Sequence, residues 1–504
     1  MKKWFVTGGL ALLTAVAAVY LFIGNLGGQT SANKQTEVSP EKGQLLVEHY
    51  GMKLKLDTGK KILGGTVTLE LNNQTEDTLS EICMRNFSAS ILEEGKKTKK
   101  GKDPSVSYVR LEQPLKPNSR TKLQIEYNTE IPREDNRFGY HEEGKYKLFQ
   151  LSFCFPHLAM YEHGKWNENP YFSAGESNFS RVTDYDIEIE APKDYTIIAS
   201  GKENTRQQGQ KAITSISARK MRDMAIVASN YMKTEQVKTK AGVVVRHCYL
   251  NYKGMKEYNA FSLEAAKDAM DLYSERFGRY PYEELDVVQG FLPTGMEFPG
   301  LIMIGLPDVK NMRDIPKNGI SHYRNYSDLC CLVAHEVAHQ WFCVTVGNDP
   351  FQEPWLDEGL AEYCEDILYP QSGVPSIQKA MEADKKKDTD FTFPAEWEED
   401  IFRKYMDGYI EQMTKGKKYY IDKNCLEYED GTYSDYAYEG GKCFFYELQK
   451  ELGDSTFSTM LREYYQKFYL QEATGEEFLQ IVQQYAVSDR SKKIIDQYIS
   501  GGTS

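Results

Sequence analysis

Two histidines, His335 and His339, lie four positions apart in the run His335-Glu-Val-Ala-His339. In an α-helix, residues four positions apart differ by only about 40° around the axis, so both imidazole rings can reach one ion. Two neutral nitrogen donors suit Zn²⁺. The apolar residues at 329–334 predict that this helix is buried nearly all round, with its histidines facing a cleft.

A third donor is Glu358, which follows His339 after 18 intervening residues in a second helical segment, 355–363. Three protein ligands leave a fourth coordination position open for water, which is typical of a catalytic zinc. The alternative is a helix with hydrogen-bonded core histidines, but burying three ionisable groups without a metal is costly. The sequence therefore predicts that His335, His339 and Glu358 hold one Zn²⁺ per chain.

Glu336 lies beside the first histidine and has the chemistry of a general base. Zn²⁺ lowers the pKa of a bound water to about 7, so a neighbouring carboxylate can take its proton. Glu336 is expected to receive that proton and to return it to the leaving amine. Glu362, one helical turn after Glu358, is either an acceptor for the spare N–H of a ligand histidine or a surface carboxylate.

These residues resemble the aminopeptidase N family of zinc peptidases, which also includes the leukotriene hydrolase. The resemblance rests on four segments, which are Thr294-Gly-Met-Glu-Phe-Pro-Gly300, HEVAHQW (335–341), PWLDEG (354–359) and Tyr438-Glu-Gly-Gly-Lys442. The first looks like the family's GxMEN signature, and the last is similar to its Tyr-x-Lys-Gly element. The resemblance implies a zinc-dependent aminopeptidase that removes the N-terminal residue of peptides.

The resemblance also implies roles for individual residues. Glu297 would bind the free α-amino group of the substrate, Gly295 and Met296 would contact the substrate beside it, and Tyr438 would stabilise the oxyanion. The chemistry agrees, because a carboxylate near the metal favours a cationic terminus and a tyrosine is a neutral donor to developing charge. Gln150 is a further candidate for contact with the amino group, although the surrounding sequence matches the family poorly.

Two features limit what can be carried over from the family. Thr294 stands where the GxMEN motif has glycine, and Phe298 stands where it has asparagine. The preferred N-terminal residue of the substrate is therefore left open. The choice of Tyr438 among nearby tyrosines rests on the resemblance alone. The alternatives are Tyr433, Tyr436 and the pair Tyr419-Tyr420.

The elements that must position these residues fall into two halves. A chain of 504 residues exceeds the size of a single hydrophobic core, so two or more domains are expected. Alternating runs such as 121–127 and 184–190 predict strands, and we expect an antiparallel β-sheet domain, a saddle or sandwich, over 45–252. Helical spacing dominates 253–504. We thus predict an α+β multidomain fold whose second domain, by the resemblance, is a mostly helical thermolysin-like catalytic domain.

Residues 1–28 predict a membrane segment. Lys2 and Lys3 precede the uncharged stretch Trp4–Gly24, which as a helix reaches roughly 30 Å and can span a bilayer. The two lysines place the N-terminus in the cytoplasm, and residues 29–44 have the composition of a flexible tether. A single-pass anchor with the catalytic domain outside the cytoplasm is favoured over a cleaved signal peptide, which would release a secreted protein.

Composition and the remaining motifs exclude other functions. The net charge of −13 argues against a nucleic-acid partner, and the nine cysteines contain no CxxC pair and indicate no disulfide framework. No G-x-S-x-G, P-loop or dinucleotide fingerprint supports another enzyme class. Two rivals remain, a zinc endopeptidase on the same site and a non-catalytic peptide-binding surface protein. Natural substrates and oligomeric state are not indicated.

Overall fold

Strands fill the chain from Leu45 to Leu250, and helices dominate it from Lys256 onward in the computed structural model. The structure describes residues 43–85, 90–92, 98–133, 137–252, 254–307, 320–321, 325–429 and 431–502. The predicted membrane segment (1–28) and nearly all of the predicted tether (29–44) lie outside these residues. None of the helices in the described ranges has the length and apolar character needed to cross a bilayer.

The first half is built from strands with alternating burial. Leu123, Ile125 and Tyr127 are buried between exposed neighbours, which confirms the strand predicted at 121–127. The strands are β1 (Leu45–Asp57), β2 (Ile62–Asn73), β3 (Leu79–Arg85), β4 (Ser90–Leu92), β5 (Thr98–Lys100), β6 (Val106–Leu115), β7 (Ser119–Glu130), β8 (Phe138–Glu143), β9 (Tyr146–Ser152), β10 (His157–Leu158), β11 (Tyr161–Glu162), β12 (Lys165–Trp166), β13 (Thr183–Pro192), β14 (Thr196–Ala199), β15 (Lys202–Gln208), β16 (Lys211–Met221), β17 (Ala225–Ser229), β18 (Met232–Lys238) and β19 (Val244–Leu250).

The longest of these strands form a seven-stranded sheet in the order β15-β16-β13-β1-β2-β7-β4. Its pairs are antiparallel except for β1 and β13, where the sheet differs from the purely antiparallel one that was predicted. Parallel neighbours need a long connection, and β2 to β12 all lie between these two strands in sequence. Two four-stranded sheets, β10-β3-β6-β5 and β14-β17-β9-β8, and the β11-β12 pair complete this half.

The second half combines short strands with long helices. The strands are β20 (Glu284–Gly290), β21 (Gly295–Phe298), β22 (Leu301–Pro307) and β23 (Ile320–Ser321). The helices are α1 (Lys256–Arg276), α2 (Tyr326–Ala338), α3 (Pro354–Tyr363), α4 (Tyr369–Gln371), α5 (Pro375–Lys387), α6 (Glu399–Thr414), α7 (Gly441–Leu452), α8 (Asp454–Lys467), α9 (Gly475–Tyr485) and α10 (Asp489–Tyr498). Two π-helical turns, Cys364–Leu368 and Asp435–Gly440, and the 3₁₀ turn Pro394–Glu396 lie between them.

A mixed sheet in the order β18-β19-β20-β22-β21 joins the two halves, with β23 beside β22. Sequence reasoning assigned helices to the chain after 252 and missed β20, β21 and β22. Since this sheet takes strands from both sides of residue 252, the domain boundary at 252 stays a prediction.

The helical half surrounds α2. Leu329, Val333 and Val337 of α2 are fully buried, and α2 packs against α1, in which Ala265 and Ala269 are fully buried as well. A helix buried on most of its surface is what the apolar flank of the histidine pair predicts. The predicted metal ligand His335 therefore lies on a helix that is held by packing on most of its surface.

Candidate metal centre and active site

Two helices bring the predicted metal donors together. α2 carries His335 and Glu336 in its last turn, and His339 directly follows that helix with near-helical angles, φ −58° and ψ −21°. α3 carries Glu358, which is also buried. The spacing of four between the histidines therefore puts both rings on the side that faces α3.

The donor atoms of His335, His339 and Glu358 form a small triangle. The Nε2 atoms of the two histidines are 3.1 Å apart. Glu358 Oε2 lies 3.5 Å from His335 Nε2 and 3.3 Å from His339 Nε2. All three side chains are buried.

This triangle fits the dimensions of a tetrahedral zinc site. Bonds of about 2.0–2.2 Å at tetrahedral angles place neighbouring donors roughly 3.3–3.5 Å apart. Two of the observed separations, 3.3 and 3.5 Å, fall within that spacing, and the third, 3.1 Å, is slightly shorter. Two imidazoles and one carboxylate also match the His₂Glu set of catalytic zinc sites. The residues present therefore fit Zn²⁺.

The other nitrogen of each histidine lies near an oxygen atom that can accept a hydrogen bond. His339 Nδ1 lies 3.2 Å from the carbonyl oxygen of Phe342. His335 Nδ1 lies 2.8 Å from Glu365 Oε2 and 3.5 Å from Glu362 Oε2. Glu365 is thus the nearer acceptor, and sequence reasoning, which considered only Glu362, missed it. Its signal was available, because position i+7 from Glu358 returns to the same helical stripe.

Lys442 explains why Glu362 is the more distant acceptor. Its ammonium group is almost fully buried and lies 3.6 Å from Glu362 Oε1 and 2.7 Å from Glu439 Oε2. It also contacts Asp366. Glu362 is therefore shared between a lysine and a histidine, so it is not the surface carboxylate of the alternative prediction.

Replacing Glu365 with glutamine is expected to weaken zinc binding by about 10- to 100-fold, because His335 loses the charged acceptor that orients it. Competition with a chelating dye measures this affinity directly. Glu362→Gln is the matched comparison and should cost less, since Glu362 lies farther from the ring. A larger loss in Glu362→Gln than in Glu365→Gln would reverse this assignment.

Glu336 and Glu358 differ in their electrostatics. Burial raises the pKa of Glu336 to about 8, despite the opposing effect of His335. Burial also favours the neutral form of Glu358, but hydrogen bonding with His335 and His339 outweighs it and lowers its pKa below the ordinary value. Two buried carboxylates with opposite shifts suit different roles, one as an ionised ligand and one as a group that takes up a proton.

Gly295 makes room for Glu336. A Cβ atom added to Gly295 would lie only 2.1 Å from Glu336 Oε1. Gly295, which is predicted to contact the substrate, thus packs directly against Glu336, the predicted general base. Glu336 Oε2 is buried without a hydrogen-bond partner among the described residues, as expected of a group that acts on a water and a substrate.

Gly295→Ala is expected to displace the Glu336 carboxylate and to lower kcat by roughly 100-fold, the effect of misplacing a catalytic group by about 1 Å. Zinc content should not change. The matched control is Gly408→Ala, since nothing lies within 4 Å of a Cβ added there. Steady-state kinetics of the two variants decide the point, and equal activity in both would show that the contact is harmless.

Strand alternation separates the other motif residues. Glu297 lies on β21 and is partly exposed, with the Cys343 thiol 3.8 Å from its Oε1 atom. Met296 and Phe298 point the other way and belong to the hydrophobic core. The substrate contact of Met296 stays a prediction. Phe298 packs on Phe153 with ring centroids 5.7 Å apart. The phenylalanine in place of the family's asparagine therefore fills the interior.

Tyr438 reaches the metal donors from the π-helical turn Asp435–Gly440. Its hydroxyl donates a hydrogen bond of 2.6 Å to Glu358 Oε1, and its ring lies parallel to that of His335 at 6.2 Å. Gly441 allows this approach, because a Cβ there would lie 2.6 Å from the Cα of Gly359. Burial and Glu358 raise the pKa of Tyr438 well above 10, so it stays a neutral donor. The neighbouring Tyr433 contacts the ring of Tyr438 at 5.8 Å.

Residues from the strand-rich half also approach the site. The side-chain oxygen of Gln150 accepts the backbone N–H of Phe291, which fastens β9 to the segment before β21. Arg137 and Glu176 form a buried ion pair of 2.6 Å that sequence reasoning missed. The charge of Glu297 acts on the pKa values of both residues. The first half therefore contributes side chains close to Glu297, the carboxylate that is predicted to bind the substrate.

Comparison with known proteins finds a family model that matches part of the chain. Residues 261–498 match the model of the Peptidase family M1 domain. A puromycin-sensitive aminopeptidase of Caenorhabditis elegans is 26% identical over 189 residues, which cover 36% of this chain and 19% of that protein. Aminopeptidase B of Rattus norvegicus is 23% identical over 323 residues, which cover 62% of this chain and 43% of that protein. The chain thus spans less than half the length of these relatives.

Solved structures share the fold over nearly the whole chain. A two-domain M1 zinc metallopeptidase mutant bound to L-arginine superposes with a TM-score of 0.63 at 17% identity, covering 90% of this chain and 94% of that one. A mutant of the M1 zinc metallopeptidase from Deinococcus radiodurans bound to a Tyr-Ser-Ala substrate gives 0.61 at 17% identity, covering 92% and 96%. These likenesses confirm the predicted fold class, a β-sheet domain followed by a helical domain.

Proposed function

Because the chain carries a Peptidase family M1 domain at residues 261–498, we propose that it is a zinc-dependent aminopeptidase that hydrolyses the first peptide bond of peptides with a free N-terminus. The domain match spans all four motifs on which the resemblance to the aminopeptidase N family rests, and it confirms that resemblance. The observation that carries the proposal is the convergence of the His335, His339 and Glu358 donors with Glu336 in one buried site.

Each side chain has a distinct part in this reaction. His335, His339 and Glu358 would hold Zn²⁺, which when bound lowers the pKa of a water and polarises the scissile carbonyl group. Glu336 takes the proton of the attacking water on its carboxylate and returns it to the leaving amine. Tyr438 donates a hydrogen bond to the carbonyl oxygen as negative charge develops there.

Glu297 supplies the preference for a free N-terminus in this proposal. A carboxylate makes a strong, charge-assisted hydrogen bond with an ammonium group. An internal peptide bond offers no such cation, so binding it would leave the carboxylate unpaired. Arg137, which lies nearby, forms an ion pair with Glu176. The positive charge of Arg137 is therefore not available to Glu297 alone.

The proposal is tested with a panel of chromogenic aminoacyl substrates, each with a free and an N-acetylated terminus, with and without a chelator. We expect hydrolysis of the free forms, little hydrolysis of the acetylated forms, and loss of both in chelator. Equal rates on free and acetylated peptides would favour a zinc endopeptidase. Stoichiometric zinc without turnover of any substrate would favour a non-catalytic peptide-binding protein.

We also propose that residues 1–28 anchor the chain in the cell membrane, with the catalytic domain outside the cytoplasm. The support is the uncharged stretch Trp4–Gly24 preceded by Lys2 and Lys3. Alkaline extraction of membranes from cells that make the full chain should leave the protein in the pellet. Release of the intact chain into the soluble fraction would count against the anchor.

A further inference from the structure

The buried side-chain amide of Gln340 links the end of α2, the metal helix that carries His335, to β21, the strand that carries Glu297. Gln340 directly follows the ligand His339 and is fully buried. Its Nε2 atom donates to the carbonyl oxygen of Phe298 at 3.0 Å, and its Oε1 atom accepts the N–H of Gly300 at 3.0 Å. Tyr280 donates a third hydrogen bond to Oε1 at 3.3 Å. The amide thus forms hydrogen bonds with the first and third residues of the turn that begins one residue after Glu297.

Only an amide of this length can make both backbone contacts. Glutamine offers a donor and an acceptor on one rigid group, whereas glutamate has no donor and methionine has neither. In this buried place, leaving the Phe298 carbonyl or the Gly300 N–H without a partner would carry the full cost of desolvation. The contact is therefore specific to the side chain of Gln340.

Among the described residues, the strand that holds Glu297 has a hydrogen-bonded partner strand on one side only. β21 is four residues long and lies at the end of its sheet, paired on one side with β22. Gly300 also attaches the turn to the neighbouring chain. Its carbonyl oxygen accepts the N–H of Asp286 at 2.9 Å, and its φ is +72°. A short edge strand depends on such anchors to hold its position.

The anchor on the other side is the metal helix itself. The backbone N–H of Gln340 donates to Val337 at 3.0 Å, and its carbonyl oxygen accepts the hydroxyl of Thr345 at 2.6 Å. Its position therefore follows that of His339. The amide joins the segment that holds the metal ligand to the segment that holds the ammonium-binding carboxylate.

We infer that Gln340 is a positioning residue that sets the distance between Glu297 and the metal centre and so directs cleavage to the first peptide bond. This inference rests on the proposed function, in which Glu297 binds the substrate ammonium group. Gln340 itself does not touch the substrate. Its loss should act on substrate binding and on discrimination against blocked termini, with the metal still in place.

The test compares Gln340→Met with a matched control, Gln289→Met. Gln289 is another buried amide of the same half, which donates to Asn259 Oδ1 at 2.8 Å and accepts the N–H of Leu250 at 3.1 Å. Both variants should lower Tm. Only Gln340→Met should raise KM for free-terminus substrates by about tenfold or more and reduce the preference for free over acetylated substrates.

A second measurement is independent of turnover. Calorimetric titration with an amino acid amide reports the ammonium site, and Gln340→Met should weaken its binding about tenfold while zinc stays stoichiometric. If Gln340→Met does not fold, Gln340→Asn, which keeps an amide but is one methylene too short, should show the same changes. Retention of wild-type KM, preference and amide affinity in these variants would overturn the inference.

The two proposals fail in different ways. If the wild type itself cleaves free and acetylated peptides equally, the proposed function is wrong and the inference falls with it. If the wild type discriminates and Gln340→Met discriminates equally well, only the inference is wrong.

Discussion

Glu336→Gln is expected to keep zinc bound and to lower kcat by about 10²- to 10⁴-fold, the usual contribution of a general base. Glutamine has nearly the same shape as glutamate but cannot take a proton from water. The space beside Gly295 accommodates a side chain of this size, so the fold should not change. Steady-state kinetics on a free-terminus substrate, together with metal analysis of the same sample, measure both parts of the prediction.

Glu447→Gln is a suitable control for this loss. Glu447 is a partly buried carboxylate of the same half, and it accepts the hydroxyl of Tyr498 at 2.7 Å, a contact that a glutamine oxygen can keep. Its replacement should leave kcat within about twofold, as expected away from the reacting atoms. Activity of Glu336→Gln close to that of Glu447→Gln would remove Glu336 from the mechanism.

Glu297→Gln is expected to lower kcat/KM for free-terminus substrates by about 10- to 100-fold. Hydrogen bonds to charged groups contribute about 1.5–3 kcal/mol, and the amide loses that charge while keeping the shape. Cleavage of N-acetylated substrates should change little, so the preference for free termini should nearly disappear. The ratio of the two kcat/KM values is the quantity to measure.

Glu297→Asp provides the control for charge. It keeps the carboxylate but withdraws it by one methylene group, so an intermediate loss is expected. A preference for free termini that survives in Glu297→Gln would assign ammonium recognition to another carboxylate. Glu176 is such an alternative, because it lines the same cavity as Glu297 and the charge of Glu297 raises its pKa.

The metal donors could be predicted because their geometry is local. Four positions along a helix determine how His335 and His339 face one ion, whatever surrounds them. Glu358 lies on a second helix, and its assignment needed only the chemistry of a third ligand. Burial of α2 followed from its apolar flank. The comparison with M1 metallopeptidases then confirmed the fold class that the two sequence patterns indicated.

The surrounding contacts could not be predicted, because they depend on how distant segments pack. Gln340 meets Phe298 and Gly300 across 40 or more positions, and no local pattern marks that contact. The preference of His335 for Glu365 over Glu362 depends on where α7 places Lys442. The inward orientation of Met296 was different, since strand alternation beside Glu297 contained the necessary signal.

Metal analysis of the purified wild-type chain and of Glu358→Gln after dialysis tests the central claim most directly. Three donors on two buried helices should retain one zinc per wild-type chain, and loss of the only carboxylate among them should leave the variant well below stoichiometry. A wild-type chain without stoichiometric zinc, or a variant that retains as much zinc as the wild type, would contradict the account.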